Sequence, residues 1–158
     1  MGKIRWKSLI ISLLISLGTG AVSALLSQDI MGKYEAMYQP PLSPPGWVFP
    51  IVWTILYVLM GSAAYLIYVS GSANSEIALK LYFAQLAVNG GWSILFFGFG
   101  LYMLAFTWLL LLWYLVLLTT ISFHAIHPTA GKLMIPYLLW LIFAAYLNLA
   151  VVIHYMQK

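Results

Sequence analysis

Pro40-Pro41-Leu42-Ser43-Pro44-Pro45-Gly46-Trp47-Val48-Phe49-Pro50-Ile51-Val52-Trp53-Thr54-Ile55-Leu56-Tyr57 is the stretch on which the reading of this chain turns. Prolines at 40, 41, 44 and 45 have no backbone N–H and a fixed φ, so they hold the segment extended up to Gly46. Pro50 falls early enough to sit in the first turns of a helix, where a missing N–H costs nothing. A stiff loop therefore runs straight into a helix. Within that helix Trp53 and Tyr57 stand four residues apart and project from one face, with Gly61 a turn further on. Two large amphipathic aromatics face the same neighbour.

Working outward, composition decides the solvent. Hydrophobic residues make up 64% of the 158 and charged residues 6%, with a mean hydropathy of +0.98. A water-soluble chain of this size could not cover its surface with so few polar groups. The reading is an all-α integral membrane protein, one domain over residues 1–158. A bilayer core of about 30 Å needs roughly 20 apolar residues per helix, and five nearly uncharged stretches fit: about 8–28, 46–69, 77–97, 101–123 and 133–155. The expectation is a bundle of five transmembrane helices, with the termini on opposite faces.

The net charge of +4 comes from residues that flank spans and line no face, which argues against nucleic acid as a partner. Lys3, Arg5, Lys7, Lys80 and Lys132 fall on the N-terminal side, against Lys33 and Lys158 on the other. The positive-inside rule then puts the N-terminus in the cytoplasm, and a bacterial cytoplasmic membrane is the expected location. Met1 to Lys7 followed by an apolar run imitates a signal peptide with a passable cleavage site at Ala21-Val22-Ser23. The run continues to Leu26, long enough to span, and is kept as the first helix.

That first span carries small residues at Ser8, Ser12, Ser16, Gly20, Ser23 and Ser27, a packing face either within the bundle or against another subunit. Asp29, Lys33 and Glu35 follow, in a connection up to Pro45 that reads as a solvated loop or as a lid over a cavity. In the third span Gln85 and Asn89 are spaced i, i+4, with Trp92 and Phe96 on nearly the same face. Amides at membrane depth must face protein or a cavity. The fourth span has no strongly polar centre and reads as mostly lipid-facing or subunit-facing. His124 and His127 near its end lack a third ligand, and metal binding is not expected. The fifth places Pro136, Trp140, Ala144 and Asn148 on one continuous face, with Pro136 in the first turns. Such a row is packing or a binding box.

The run Pro44-Pro45-Gly46-Trp47-Val48-Phe49-Pro50 with Trp53-Thr54 and Leu56-Tyr57 resembles the signature of the TspO/MBR family, the tryptophan-rich sensory proteins and mitochondrial translocator proteins. Gln85-Leu86-Ala87-Val88-Asn89 with Trp92 and Phe96-Phe97-Gly98, then Pro136-Tyr137-Leu138 with Trp140 and Leu147-Asn148, agree in order and spacing. The resemblance covers nearly the whole chain. It implies a pocket among five helices, capped by the first loop, for tetrapyrroles such as protoporphyrin IX, for benzodiazepine-type drugs and, in animals, for cholesterol. By position Trp53, Tyr57, Asn89, Trp92, Trp140, Ala144 and Asn148 match the pocket-forming motifs, and Tyr34, Pro41, Pro44 and Pro45 the lid. Trp53 and Trp140 are expected as opposing aromatic walls. Ser43 and Gly46 stand where animal members have His, and of the family's lid Trp-Tyr pair only Tyr34 remains. The tail from Val152 to Lys158 formally fits a weak sterol pattern, but out of register with the family's segment.

Catalysis lacks its usual groups. Three acidic residues, none within a predicted span, and no Cys leave acid–base, nucleophilic and metal-assisted chemistry without residues. Seven Trp and eleven Tyr can instead stack on a flat apolar molecule. The favoured function is a membrane receptor or sensor binding porphyrin in an aromatic pocket, with no cofactor required and no catalytic residue assigned. Two alternatives stand beside it: light- and oxygen-dependent degradation of protoporphyrin IX, which would make the porphyrin a substrate, and transport of tetrapyrrole or sterol. Expected partners are the flat hydrophobic ligand, membrane lipid and a second copy in a homodimer.

Overall fold

A computed structural model describes residues 4–158, all of whose regular elements are helical: α1 (Trp6–Ser27), α2 (Ile30–Ala36), α3 (Val48–Val69), α4 (Ser75–Ser93) continued by a π-helical turn (Ile94–Gly98), α5 (Tyr102–Ile126) and α6 (Pro128–Met156). Lys3, part of the expected basic flank, lies outside the described residues. Of these helices α1, α3, α5 and α6 are long and apolar enough to cross a membrane. α4 is diluted by Glu76, Lys80, Gln85 and Asn89. The long helices form a closed ring in the order α1, α3, α6, α5, α4, with α3 also touching α4 across it.

A mostly apolar core takes in several polar side chains, and the outer surface is inverted from polar to apolar. Ser16, Ser23, Ser27, Gln85, Asn89, Thr119 and Asn148 are buried, while Leu14, Leu25, Leu111 and Leu139 stand exposed. That inversion is what lipid selects, because an apolar side chain gains little by leaving acyl tails whereas a polar one needs a partner. The small-residue row of α1 packs within the bundle. Ser12 Oγ donates to the Gly61 carbonyl at 2.7 Å and Ser16 Oγ to that of Tyr57 at 2.5 Å, both on α3. Further along, Ser23 Oγ donates to Gly90 on α4 at 2.8 Å, and Ser27 Oγ pairs with Ser93 Oγ at 2.8 Å. Gly61 belongs to this seam and not to the open face beside Trp53: a Cβ there would lie 3.1 Å from the Leu13 backbone.

Four expectations need correction. The segment after α1 is no plain loop: Gln28 and Asp29 at positive φ stop α1, and the Asp29 carboxylate accepts from Gly32 N at 3.2 Å to start α2. α6 begins at Pro128, not near 133, because proline at the first helical position is pre-organised for a helix. Pro136 consequently lies inside α6 instead of in its first turns. α5 is not mainly lipid-facing: Ala105, Leu109, Leu112, Val116, Thr119 and Phe123 form a buried stripe, and Trp108 Nε1 donates to the Val88 carbonyl at 2.7 Å.

α5 and α6 pack most closely where a Cβ added to Gly131 would lie 2.4 Å from that of His124, with the His124 backbone also within 3 Å. Gly18 on α1 meets nothing within 4 Å. We therefore expect Gly131→Ala to lower the stability of the folded protein by roughly 1–3 kcal/mol through overpacking. Gly18→Ala should be neutral or gain up to about 1 kcal/mol through helix propensity. Melting curves of both variants in one detergent check the contrast.

Candidate ligand cavity

A cavity of about 710 Å³ lies between α1, α3, α4 and α6, roofed by α2 and the proline loop. It is within the usual size range for small-molecule sites. Trp53, Tyr57, Asn89, Trp92, Trp140, Ala144 and Asn148 all line it, so the three helical faces read from spacing converge on one space. On α3, Trp53 and Tyr57 stack at a tilt with centroids 5.7 Å apart, and Trp53 meets the Tyr137 ring edge-on at 6.1 Å. On α4 and its π turn, Trp92 lies over Phe96 at 5.2 Å. Trp140 on α6 is met edge-on by Phe49 at 5.9 Å.

The two asparagines have structural partners. Asn89 Oδ1 accepts from Tyr57 OH at 2.5 Å, and its Nδ2 donates to Tyr137 OH, tying α4 to α3 and α6. Asn148 Oδ1 accepts from Trp92 Nε1 at 3.3 Å, and its Nδ2 donates to the Tyr102 carbonyl at 3.1 Å. Their amides shape the walls from behind. Gln85, read on the same face as Asn89, is turned away from the cavity toward Met60 Sδ at 3.8 Å. The Trp140 indole N–H is buried and has no hydrogen-bond partner within the protein.

The roof divides between lining and fastening. Tyr34 lines the cavity, as do Pro40, Ser43 and Gly46 from the loop. Pro41, Pro44 and Pro45, read as lid residues, lie off the cavity wall. The Pro41 carbonyl accepts from Tyr146 OH at 2.8 Å and that of Pro44 from Tyr34 OH at 2.7 Å, while Pro44 and Pro45 line a shallow groove on the outer surface. Alternate stiff residues here present carbonyls, since proline has nothing to donate. Burial raises the Tyr34 phenol above its ordinary value near 10, against a smaller opposite effect of Ser43. A raised folded value means that this clasp holds below pH 10 and is lost only as the pH climbs through that value.

Met31, Met37, Tyr38 and Val151 also line the cavity and were not singled out from sequence, nor was Ala24 of α1, while Phe97 and Leu147, quoted only for the resemblance, line it too. Phe49 stood in the decisive stretch, and Gly20 in the small-residue row. The methionines carried no periodic signal because α2 itself was not foreseen. Among the described residues, no Asp, Glu, Lys, Arg or His lines the space. Its chemistry is that of indoles, phenols and apolar surface, able to hold a flat molecule by area.

The family model of the TspO/MBR family matches residues 10–154. The chain is 37% identical over 120 residues to the tryptophan-rich protein TspO of Chlorobaculum tepidum, covering 75% of this chain and 76% of the relative. It is 35% identical over 144 residues to the tryptophan-rich protein TspO of Archaeoglobus fulgidus, covering 90% and 94%. With the translocator protein of Ovis aries it shares 40% over 118 residues, covering 73% and 70%.

The Tyr57–Asn89–Tyr137 link gives this subsection its test. Asn89→Leu leaves two buried hydroxyls without their shared partner, at about 1–3 kcal/mol for each group left unsatisfied. Tyr57→Phe removes one bond and leaves the other. The melting temperature should fall further for Asn89→Leu than for Tyr57→Phe, and equal losses would show that the amide does not join the two tyrosines.

Proposed function

The chain belongs to the TspO/MBR family, and from that membership we propose that it is a membrane receptor or sensor for porphyrins and similar flat hydrophobic molecules, held in the aromatic cavity. The observation that carries this reading is the meeting of Trp53, Tyr57, Trp92 and Trp140 around one uncharged space of about 710 Å³. Aromatic faces reward a flat ligand over a compact one of equal area. An uncharged wall requires that any carboxylates on a tetrapyrrole stay at the mouth, in reach of water, because an unpaired charge inside would cost several kcal/mol.

The reading includes five crossings. α4 and its π turn continue without a break over residues 75–98, about 36 Å at 1.5 Å per residue, enough for a core of about 30 Å. Its Gln85 and Asn89 are buried against neighbours, so lipid does not meet them. Arg5, Lys7, Lys80 and Lys132 stand at the end of the bundle away from the roof, which under the positive-inside rule favours a cytoplasmic N-terminus and a roof outside. Reporter fusions to Met1 and Lys158 should report opposite faces; the same face for both would remove the fifth crossing.

Ala144 stands one turn from Trp140 and one from Asn148, nearly buried and on the cavity wall. Ala144→Thr brings a branched side chain into the space beside the indole and should lower affinity for protoporphyrin IX about tenfold, or ~1.4 kcal/mol. Trp53→Ala and Trp140→Ala should weaken binding as well while the protein stays folded. Titrations and melting curves on the same preparations decide the matter. Lower stability with unchanged affinity in all three would make these walls packing and nothing more.

A further inference from the structure

The cavity has two boundaries of different strength, and the weaker one faces the membrane. Along their lower halves α1 and α3 are drawn together by the Ser12–Gly61 and Ser16–Tyr57 bonds. At Gly20 an added Cβ would strike the Tyr57 ring. Beyond that point the hydroxyls of α1 turn to α4, through Ser23 and Ser27, and no side-chain hydrogen bond joins α1 to α3 among the described residues. There the seam opens. Ala21 and Ala24 on α1, with Pro50 and Thr54 on α3, line the cavity and are exposed, as are Met31 and Tyr38 of the roof. The two sides differ in what ties them: the roof is held by side-chain fastenings, whereas these four stand beside an untied seam.

The rim suits an apolar passage. It consists of two methyl groups, a proline ring and a threonine whose hydroxyl already donates to the Pro50 carbonyl at 2.7 Å. Outside it stand exposed Val22, Leu25, Ile51 and Ile55, the side chains expected at hydrocarbon depth. The roof is fastened instead. Tyr146 holds the Pro41 carbonyl, Lys33 Nζ donates to the Phe97 carbonyl at 2.8 Å, and Tyr38 stacks on His154 at 3.9 Å.

We propose that the gap between α1 and α3 is the portal of the cavity, and that its ligand is a molecule dissolved in the bilayer, entering edge-first from the hydrocarbon while the roof stays closed. This rests on the cavity being a ligand site. The chain has no cysteine of its own, so introduced pairs report cleanly. In liposomes, association and dissociation rates of protoporphyrin IX are measured for Ala21→Trp, Ala24→Trp and Thr54→Trp. They are compared with a roof locked by a bis-maleimide across Pro41→Cys/Tyr146→Cys, a pair off the cavity wall that the Tyr146 hydrogen bond already joins. A blocked portal slows entry and exit together, so both rates should fall at least tenfold, whereas the roof lock should leave them within about twofold. Slowing by the roof lock with unaltered rates in the rim variants overturns the proposal. Faster dissociation in the rim variants does so as well, since that marks a filled cavity.

A second readout stands apart from porphyrin binding. Ala144→Cys in liposomes should react with a membrane-dissolved pyrenyl maleimide and resist a charged methanethiosulfonate, and each rim tryptophan should slow the maleimide tenfold. Labelling by the charged reagent, or indifference to the rim, overturns the portal. Normal labelling in a protein that fails to bind protoporphyrin IX would overturn the ligand and leave the portal standing. Melting curves confirm that each rim variant is folded before its rates are compared.

Discussion

The Ser16 hydroxyl donating to the Tyr57 carbonyl is the contact from which the rest of the bundle follows. In lipid, a short polar side chain that reaches a neighbouring backbone draws two helices closer than any leucine pair would, and nothing in the surrounding tails competes for it. Three such hydroxyls on α1 bind in succession, two to α3 and one to α4, and a fourth, that of Ser27, pairs with the Ser93 hydroxyl of α4. The helix is thereby led off one neighbour and onto another. Space opens where it departs, and that space is the upper cavity. Gly20 sits at the fork, where the Tyr57 ring leaves no room for a side chain.

From Tyr57 the same logic passes inward. Its phenol donates to Asn89, whose amide donates to Tyr137, so α3, α4 and α6 are tied at the floor of the cavity by groups that cannot remain unpaired at this depth. Higher up, Asn148 holds the Trp92 indole and the first turn of α5. These amides fix the rings of the wall without facing the ligand as free donors. Recognition in such a site falls to shape and ring faces. A site built this way discriminates flat from bulky molecules better than one acceptor pattern from another.

Helical spacing made much of this legible, because a helix in lipid keeps a 3.6-residue period whatever surrounds it. Trp140, Ala144 and Asn148 share a face by arithmetic, and the structure turns that face, with those of Trp53 and Asn89, to one space. What stayed hidden depends on local geometry that periodicity does not carry. Gln85 and Asn89 look equivalent at i, i+4, yet the four-residue step leaves Gln85 a turn deeper, below the floor, against Met60. α2 rests on two residues at positive φ and one carboxylate cap, which no hydrophobic pattern announces. The true start of α6 was visible only in Pro128, and reading the helix from residue 133 placed Pro136 wrongly. The route of α1 could not be read either, since a row of small residues says that helices approach but not which ones.

In a chain with so few charges, the placement of Lys33 explains why the roof and the side seam respond to different surroundings. The abrupt end of α1 at Gln28 and the π turn at Ile94–Gly98 each leave terminal carbonyls without an intrahelical donor. The Lys33 ammonium donates to one of each, the Ser27 and Phe97 carbonyls at 3.2 and 2.8 Å, and its charge lies at the negative ends of both helices. That fastening belongs to the membrane surface, where ionic strength screens it and water competes for it. Among the described residues the α1–α3 seam above Tyr57 holds no charged side chain and no side-chain hydrogen bond between the two helices, so salt has nothing to act on there; acyl-chain packing does. Solution conditions therefore bear on the roof and lipid composition on the proposed portal, so the two can be perturbed separately.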